Sequence, residues 1–195
     1  MLCGLERPTE GVAEVNAINM QLAPSQARSK MGYMAQKFSL YNDLTVQQNL
    51  DFFSSVYNKA MHSEAIAQVV HLFHLEDFLT LPTYDVPSGC KQRLALACAV
   101  MHKPAALFLD EPTSGVDPAS RRNFWNYMKE LAEQGCAILV STHSMEEAEY
   151  CDRIGLIHQS RLIHIGTPNA LKELAHATTL EDAFITLIEQ QNAMG

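Results

Sequence analysis

The chain has 195 residues, 47% hydrophobic and 18% charged, a balance that suits one globular domain with a packed core. Its net charge of −8 disfavours a dedicated nucleic-acid binder, whose affinity rests on Lys and Arg. The longest apolar run, Leu94 to Met101, falls far short of the roughly 18 residues of a membrane span, and no charged-then-apolar leader is seen.

The chain opens with a short apolar stretch, Met1 to Leu5, followed by a turn, "ERPTEG". Val12 to Ile18 alternates as a short strand would, and Lys30 to Phe38 reads as another, leaving through Gln36 into a loop. Thr45 and Gln48 form a capping box, and behind it Val46, Leu50, Phe53 and Tyr57 share one helical face. Ser63 is placed as the cap of a second helix with Ile66, Val69, Val70 and Phe73 inward. Lys91 to His102 is apolar on most sides, the pattern of a buried helix.

Ala106 to Leu109 is an apolar strand that runs directly into Asp110 and Glu111 and then into "PTSGVD". Asp117-Pro118 is an N-cap and N1 pair, opening an amphipathic helix with Phe124, Tyr127, Met128 and Leu131 on one face, ended by Gly135. Cys136 to Ser141 is continuously apolar, as in a strand covered on both faces of a parallel sheet. Arg153 to His158 and Arg161 to Gly166 form a hairpin across Gln159-Ser160. Thr167-Pro168 begins a helix, and Thr179 to Gln191 is the last one. Strands alternating with helices indicate an α/β core, interrupted by an all-helical block from Thr45 to Tyr84.

The five cysteines, Cys3, Cys90, Cys98, Cys136 and Cys151, are odd in number and contain no CxxC pair. They read as reduced thiols of a cytosolic protein, not a disulfide framework or zinc site. His71 and His74 have helical i, i+3 spacing but lack the carboxylate or Cys partners of a metal pair.

"VPSGCKQRLALACAVMHKPAALFLDEPTSGVDP", with "YMAQ" upstream and "LVSTH" downstream, resembles the ATP-binding subunit of ABC transporters, over essentially the whole chain. "SGVDP" and "GTPNALKEL … TLEDAFITLIEQ" look most like the exporter branch for drugs, lipids or polysaccharides. The resemblance implies a single ABC ATP-binding domain over 1–195, with a P-loop NTPase (RecA-like) parallel-sheet core and a helical subdomain at about 45–102. It further implies ATP and Mg²⁺ as ligands, transmembrane permease subunits as partners, and a homodimer or heterodimer with another such domain. It implies a place on the cytoplasmic face of the membrane, with no nucleic acid bound and no direct membrane insertion.

A strand that ends in two acids presents them to a metal ion and a reacting group. By resemblance, Asp110 serves the Mg²⁺, which takes carboxylates, waters and phosphate oxygens. Glu111 is the general base for the water that attacks the γ-phosphate, and Gln36 belongs to the loop touching both the metal and the membrane partner. His143 follows an apolar strand at its carboxyl end, where α/β ligands bind, and resembles the γ-phosphate sensor. The bland alternative is a His that caps the helix starting near Ser144. Ser114, Gly115 and Asp117 resemble the loop that crosses the dimer interface.

The signature helix departs from the family pattern Leu-Ser-Gly-Gly-Gln. Anchored on Gln92-Arg93, it aligns with Val86, Pro87, Ser88, Gly89 and Cys90, keeping only the second glycine, Gly89. Ser88 and Cys90 stand at flanking positions, and the amides and dipole of this helix start remain available for phosphate.

A P-loop requires G-x-x-x-x-G-K-[ST], yet the chain has no Gly-Lys dipeptide and no Lys before Ser or Thr. In the family that loop precedes a helix ending in something like "MLCGLERPTEG". The expectation is therefore a core lacking the P-loop strand, truncated after the P-loop, with two strand edges and the apolar face of Cys136 to Val140 exposed, prone to aggregate and poorly stable alone. Two other functions compete: a non-catalytic module lending its signature face to an intact ABC subunit, and a soluble ribosome-associated or DNA-repair ATPase of the same superfamily.

Overall fold

The computed structural model describes residues 2–4, 6–36, 40–57 and 62–194. Met1, Leu5, Lys37, Phe38 and the Tyr57 side chain, named above, lie outside the described residues. The chain forms two compact units, Met1–Ser141 and Thr142–Gly195.

The first unit is built on three parallel strands in the order β3-β4-β5. They are β3 (Met31–Met34), β4 (Ala106–Asp110) and β5 (Ala137–Ser141). Register places Tyr33 beside Phe108 and Phe108 beside Leu139, so by strand alternation these three share one face. Gly32, Leu107 and Ile138 share the other. The expected single strand at Val12 to Ile18 is instead a small hairpin, β1 (Glu14–Val15) with β2 (Ile18–Asn19). Asn16 and Ala17 take φ of 52° and 58°, the left-handed backbone a two-residue turn demands. A short helix, α1 (Pro24–Arg28), leads into β3.

The capping box forms as expected. Thr45 N–H donates to Gln48 Oε1 at 2.9 Å and Gln48 N–H to Thr45 Oγ1 at 3.2 Å, opening α2 (Val46–Tyr57). In α3 (His62–Leu72), Ser63 lies inside the helix instead of capping it, while Ile66, Val69, Val70 and Phe73 are buried as expected. The buried helix is α4 (Ser88–Val100), which starts earlier than the apolar run suggests because Pro87 at its N-cap sets the entry. Residues 94–101 are all buried. α4 lies so close to β3 that a Cβ on Gly32 would collide with the Ala99 carbonyl, so that position has room only for glycine.

β5 bears on two expectations. Every residue of it is at least partly exposed, and Leu139 is 53% exposed. The apolar run by itself reads as a central strand, but β5 is the edge of the described sheet, the exposure expected of a core without the P-loop strand. Between β4 and β5 runs α5 (Pro118–Glu133), capped by the Asp117 carboxylate, which accepts from the Ala119 and Ser120 amides.

The second unit carries α6 (Met145–Ala148), the antiparallel pair β6 (Ile154–His158) and β7 (Arg161–Gly166), α7 (Pro168–Leu174) and α8 (Leu180–Met194). The hairpin turns at Gln159 and Ser160, both with positive φ, where the sequence put it. Its core gathers Ile154, Leu156, Leu171, Leu180 and Leu187. No helix among the described residues is long and apolar enough to cross a membrane.

Candidate functional site

The carboxyl ends of β3, β4 and β5 lie side by side because the strands are parallel and in register. Asp110 closes β4 opposite Ser141, whose hydroxyl donates to Asp110 Oδ1 at 2.5 Å. Glu111 then leaves the strand with φ at +44°. That left-handed backbone costs a residue bearing a Cβ about 1–2 kcal/mol, and it turns the Glu111 N–H onto the Ser141 carbonyl at 2.9 Å. From the loop after β3, Gln36 reaches across and donates through Nε2 to Glu111 Oε2 at 2.7 Å. Gln36, Asp110 and Glu111 are thus brought together, with Gln36 on Glu111 and not on Asp110.

Beyond Glu111 the chain makes a tight turn. Ser114 N–H donates to Glu111 O and Val116 N–H to Thr113 O, each at 3.2 Å. Thr113 and Val116 are buried, while Ser114 and Gly115 are exposed, so this loop offers a small polar tip. Asp117 ends it, its acidity increased by the Ser120 amide and then the Ser120 hydroxyl.

The start of α4 abuts the start of α5. A Cβ on Gly89 would stand 2.6 Å from Ser120 Oγ and 3.2 Å from Ser120 Cβ, so the two helix starts meet closely at this glycine. Ser88 is exposed at the first helical position. Cys90 falls outside the presented set. Its thiol is buried at 3% exposure, burial pushes its pKa up, and its N–H is already bonded to Pro87 O.

His143 lies in the second unit, two residues past the end of β5, and is exposed. Its neighbours do the capping: Ser144 Oγ accepts the Glu147 amide, and Thr142 Oγ1 accepts the Ser144 amide while donating to Glu147 Oε2. Ser144, not His143, is the N-cap of α6, which removes the capping explanation for His143.

The groups at the sheet end are a carboxylate on Asp110, a carboxylate on Glu111, a hydroxyl on Ser141 and an amide on Gln36. All offer oxygen, the donor a hard cation such as Mg²⁺ takes. The Tyr33 phenol is pushed to higher pKa first by burial and second by the Asp110 charge. Sequence reasoning missed two members of this neighbourhood, Ser141 and Gln92. Gln92 is buried and donates through Nε2 to the Pro112 carbonyl at 2.5 Å. Gln92 stands between Lys91 and Arg93, so nothing in its own neighbourhood signalled its burial.

The fold is that of the P-loop NTPases, α/β with a parallel sheet. It matches a solved "ATP binding subunit of ABC transporter" with TM-score 0.84 at 26% identity, over 96% of this chain and 80% of that one. In fold alone it also matches the ATP-binding cassette MJ0796, solved as a dimer in a post-hydrolysis state with ADP and Pi, at TM-score 0.76 and 21% identity over 85% and 76% of the two chains. The chain belongs to the ABC transporter family, whose family model, described as "ABC transporter", matches residues 1–114. It is 49% identical over 195 positions, 96% of its length, to the probable multidrug ABC transporter ATP-binding protein YbhF of Escherichia coli K12. It is 35% identical over 175 positions, 88% of its length and 56% of the relative's, to the linearmycin resistance ATP-binding protein LnrL of Bacillus subtilis. The chain spans 34% of the length of YbhF.

Proposed function

We propose that the chain is the ATP-hydrolysing part of an ABC export system, coupling hydrolysis to movement of a drug-like, lipid or polysaccharide cargo through transmembrane permease subunits. The Gln36–Glu111 bond of 2.7 Å at the carboxyl end of the parallel sheet carries this reading. A bare carboxylate at that point would swing with solvent; one held by an amide is aimed. Glu111 takes the proton of the water whose oxygen bonds to the γ-phosphorus as the bond to the bridging oxygen breaks. Asp110, steadied by the Ser141 hydroxyl, and Gln36 would hold Mg²⁺. When bound, the ion would supply charge neutralisation for the phosphates.

In this reading His143 senses the γ-phosphate, and the exposed Ser88 and half-buried Gly89 face nucleotide held by a second, dimerised subunit. Ser114, Gly115 and Asp117 cross to that subunit. Residues 1–195 act as one ABC ATP-binding domain on the cytoplasmic face of the membrane. The helices from Thr45 to Phe73 and the Gln36 loop meet the permease.

The test is Glu111→Gln in the full-length protein. Hydrolysis should fall by about 10³-fold or more, the scale expected for losing a general base, while an ATP-bound dimer accumulates on a sizing column. Wild-type turnover would remove Glu111 from its role. A second reading has its own observation: the 195 residues contain no Gly-Lys dipeptide, so the P-loop cradle is not among them. The chain then lends Ser88 and Gly89 to a partner that carries a P-loop. Nucleotide bound only when such a partner is present would favour it.

A further inference from the structure

Two neighbouring residues of α4 reach in different directions. Gln92, 1% exposed, donates to the Pro112 carbonyl, one residue beyond Glu111. Arg93 donates through Nη1 to Phe73 O at 2.7 Å and His74 O at 2.9 Å, the carbonyls just past the end of α3. Its guanidinium also lies 5.9 Å from the centroid of the Phe78 ring. One residue grips the turn that carries the carboxylate; the next grips the helical block.

That turn needs a grip. Glu111 sits at φ +44°, a conformation that persists only where the surroundings over-determine it. Packing alone could be supplied at position 92 by an apolar side chain of the same length. A buried amide donor aimed at a carbonyl fixes the path of the chain, and a buried polar group left unpaired is costly. Adjacent residues on a buried, rigid helix cannot shift independently.

We propose that Gln92 is a positioning residue for Glu111 and that Arg93 beside it transmits displacement of the α2–α3 helices to that carboxylate. The inference rests on the reading of Glu111 as general base and states how that site is regulated. When the end of α3 moves, Arg93 draws α4 with it. The Gln92–Pro112 bond then changes, and Glu111 leaves the geometry in which Gln36 holds it. When α3 is seated, the bond and the aimed carboxylate are restored.

Hydrogen exchange of the full-length protein without nucleotide tests this. The reporters are the amides of Glu111, Ser114 and Val116, each hydrogen-bonded within the turn or to Ser141. In Gln92→Met they should exchange about five- to tenfold faster, the scale of one lost hydrogen bond, while residues 94–100 of α4 keep their protection. Gln92→Glu is the conservative rescue. Burial favours its neutral acid, whose O–H can donate to Pro112, so protection should match wild type at low pH and be lost as the carboxyl ionises. Arg93→Met should speed exchange at the same three amides by about twofold or more, as a share of one lost hydrogen bond, although its side chain touches none of them.

Unchanged exchange at the turn in Gln92→Met overturns the proposal, as does an increase spread evenly over α4 and α5. A turn unmoved by Arg93→Met overturns the transmission. In hydrolysis assays Gln92→Met should lose kcat with KM unchanged. Because exchange is read without nucleotide, a failure of the general-base reading shows separately, as normal turnover in Glu111→Gln.

Discussion

Gly89 has room for a hydrogen and little else. A methyl there would press on Ser120, with Oγ at 2.6 Å and Cβ at 3.2 Å. The hydroxyl can rotate away, but the Cβ belongs to the first turn of α5 and cannot. Gly89→Ala should therefore cost about 1–2 kcal/mol, the overpacking scale, read as a shift in the urea midpoint. Adding Ser120→Ala should recover only part of it, since the Cβ clash stays; full recovery would show that the hydroxyl alone sets the spacing. Asp110 and Glu111 were legible at this scale because an apolar run, two acids and a turn are local facts. The partner of Glu111 was not. Gln36 lies 75 positions away, and nothing in its own neighbourhood says which carboxylate it will meet.

The helices show how far local chemistry reaches. Thr45 and Gln48 satisfy each other's backbone N–H, Thr167 and Thr179 cap α7 and α8 through their hydroxyls, and Asp117 caps α5. All of these follow from residues within three positions of one another, and all were readable. Thr45→Ala should lower stability by about 1 kcal/mol and Gln48→Ala by less, measured by chemical unfolding. Equal losses would mean that the reciprocal bond, not the cap, carries the box. Ser63 shows where the reasoning stops: a good capping residue is no cap when the helix begins before it. β5 is a different case. Its apolar run by itself reads as a central strand, and its exposure at the edge of the described sheet was expected only from the missing neighbour, because sequence period reports strand character and not neighbours.

Across the whole molecule, exposed apolar rows are the main liability. Tyr33 at 45% and Leu139 at 53% exposure stand on the same face of the sheet of the first unit, beside the open edge of β5. In the second unit, considered by itself, Ile157, Leu162 and Ile165 are exposed on the β6–β7 hairpin. Flat apolar edges recruit other chains. The 195-residue chain should self-associate with rising concentration in light scattering, and Leu139→Lys should reduce it. A monomer unaffected by concentration would show that these rows are harmless.

The sequence by itself determined the α/β class, most elements and their caps, the motif order that marks an ABC cassette, and the residues offered for chemistry. These depend on neighbours within a turn or a strand, where residue type and spacing dictate hydrogen bonding and burial. Only the tertiary structure decided that Gln36 holds Glu111, that Gln92 and not Cys90 faces the turn after Glu111, and that Gly89 packs against Ser120. Each of those is a meeting of segments far apart in the chain, settled by how helices and strands pack and carried by no local pattern.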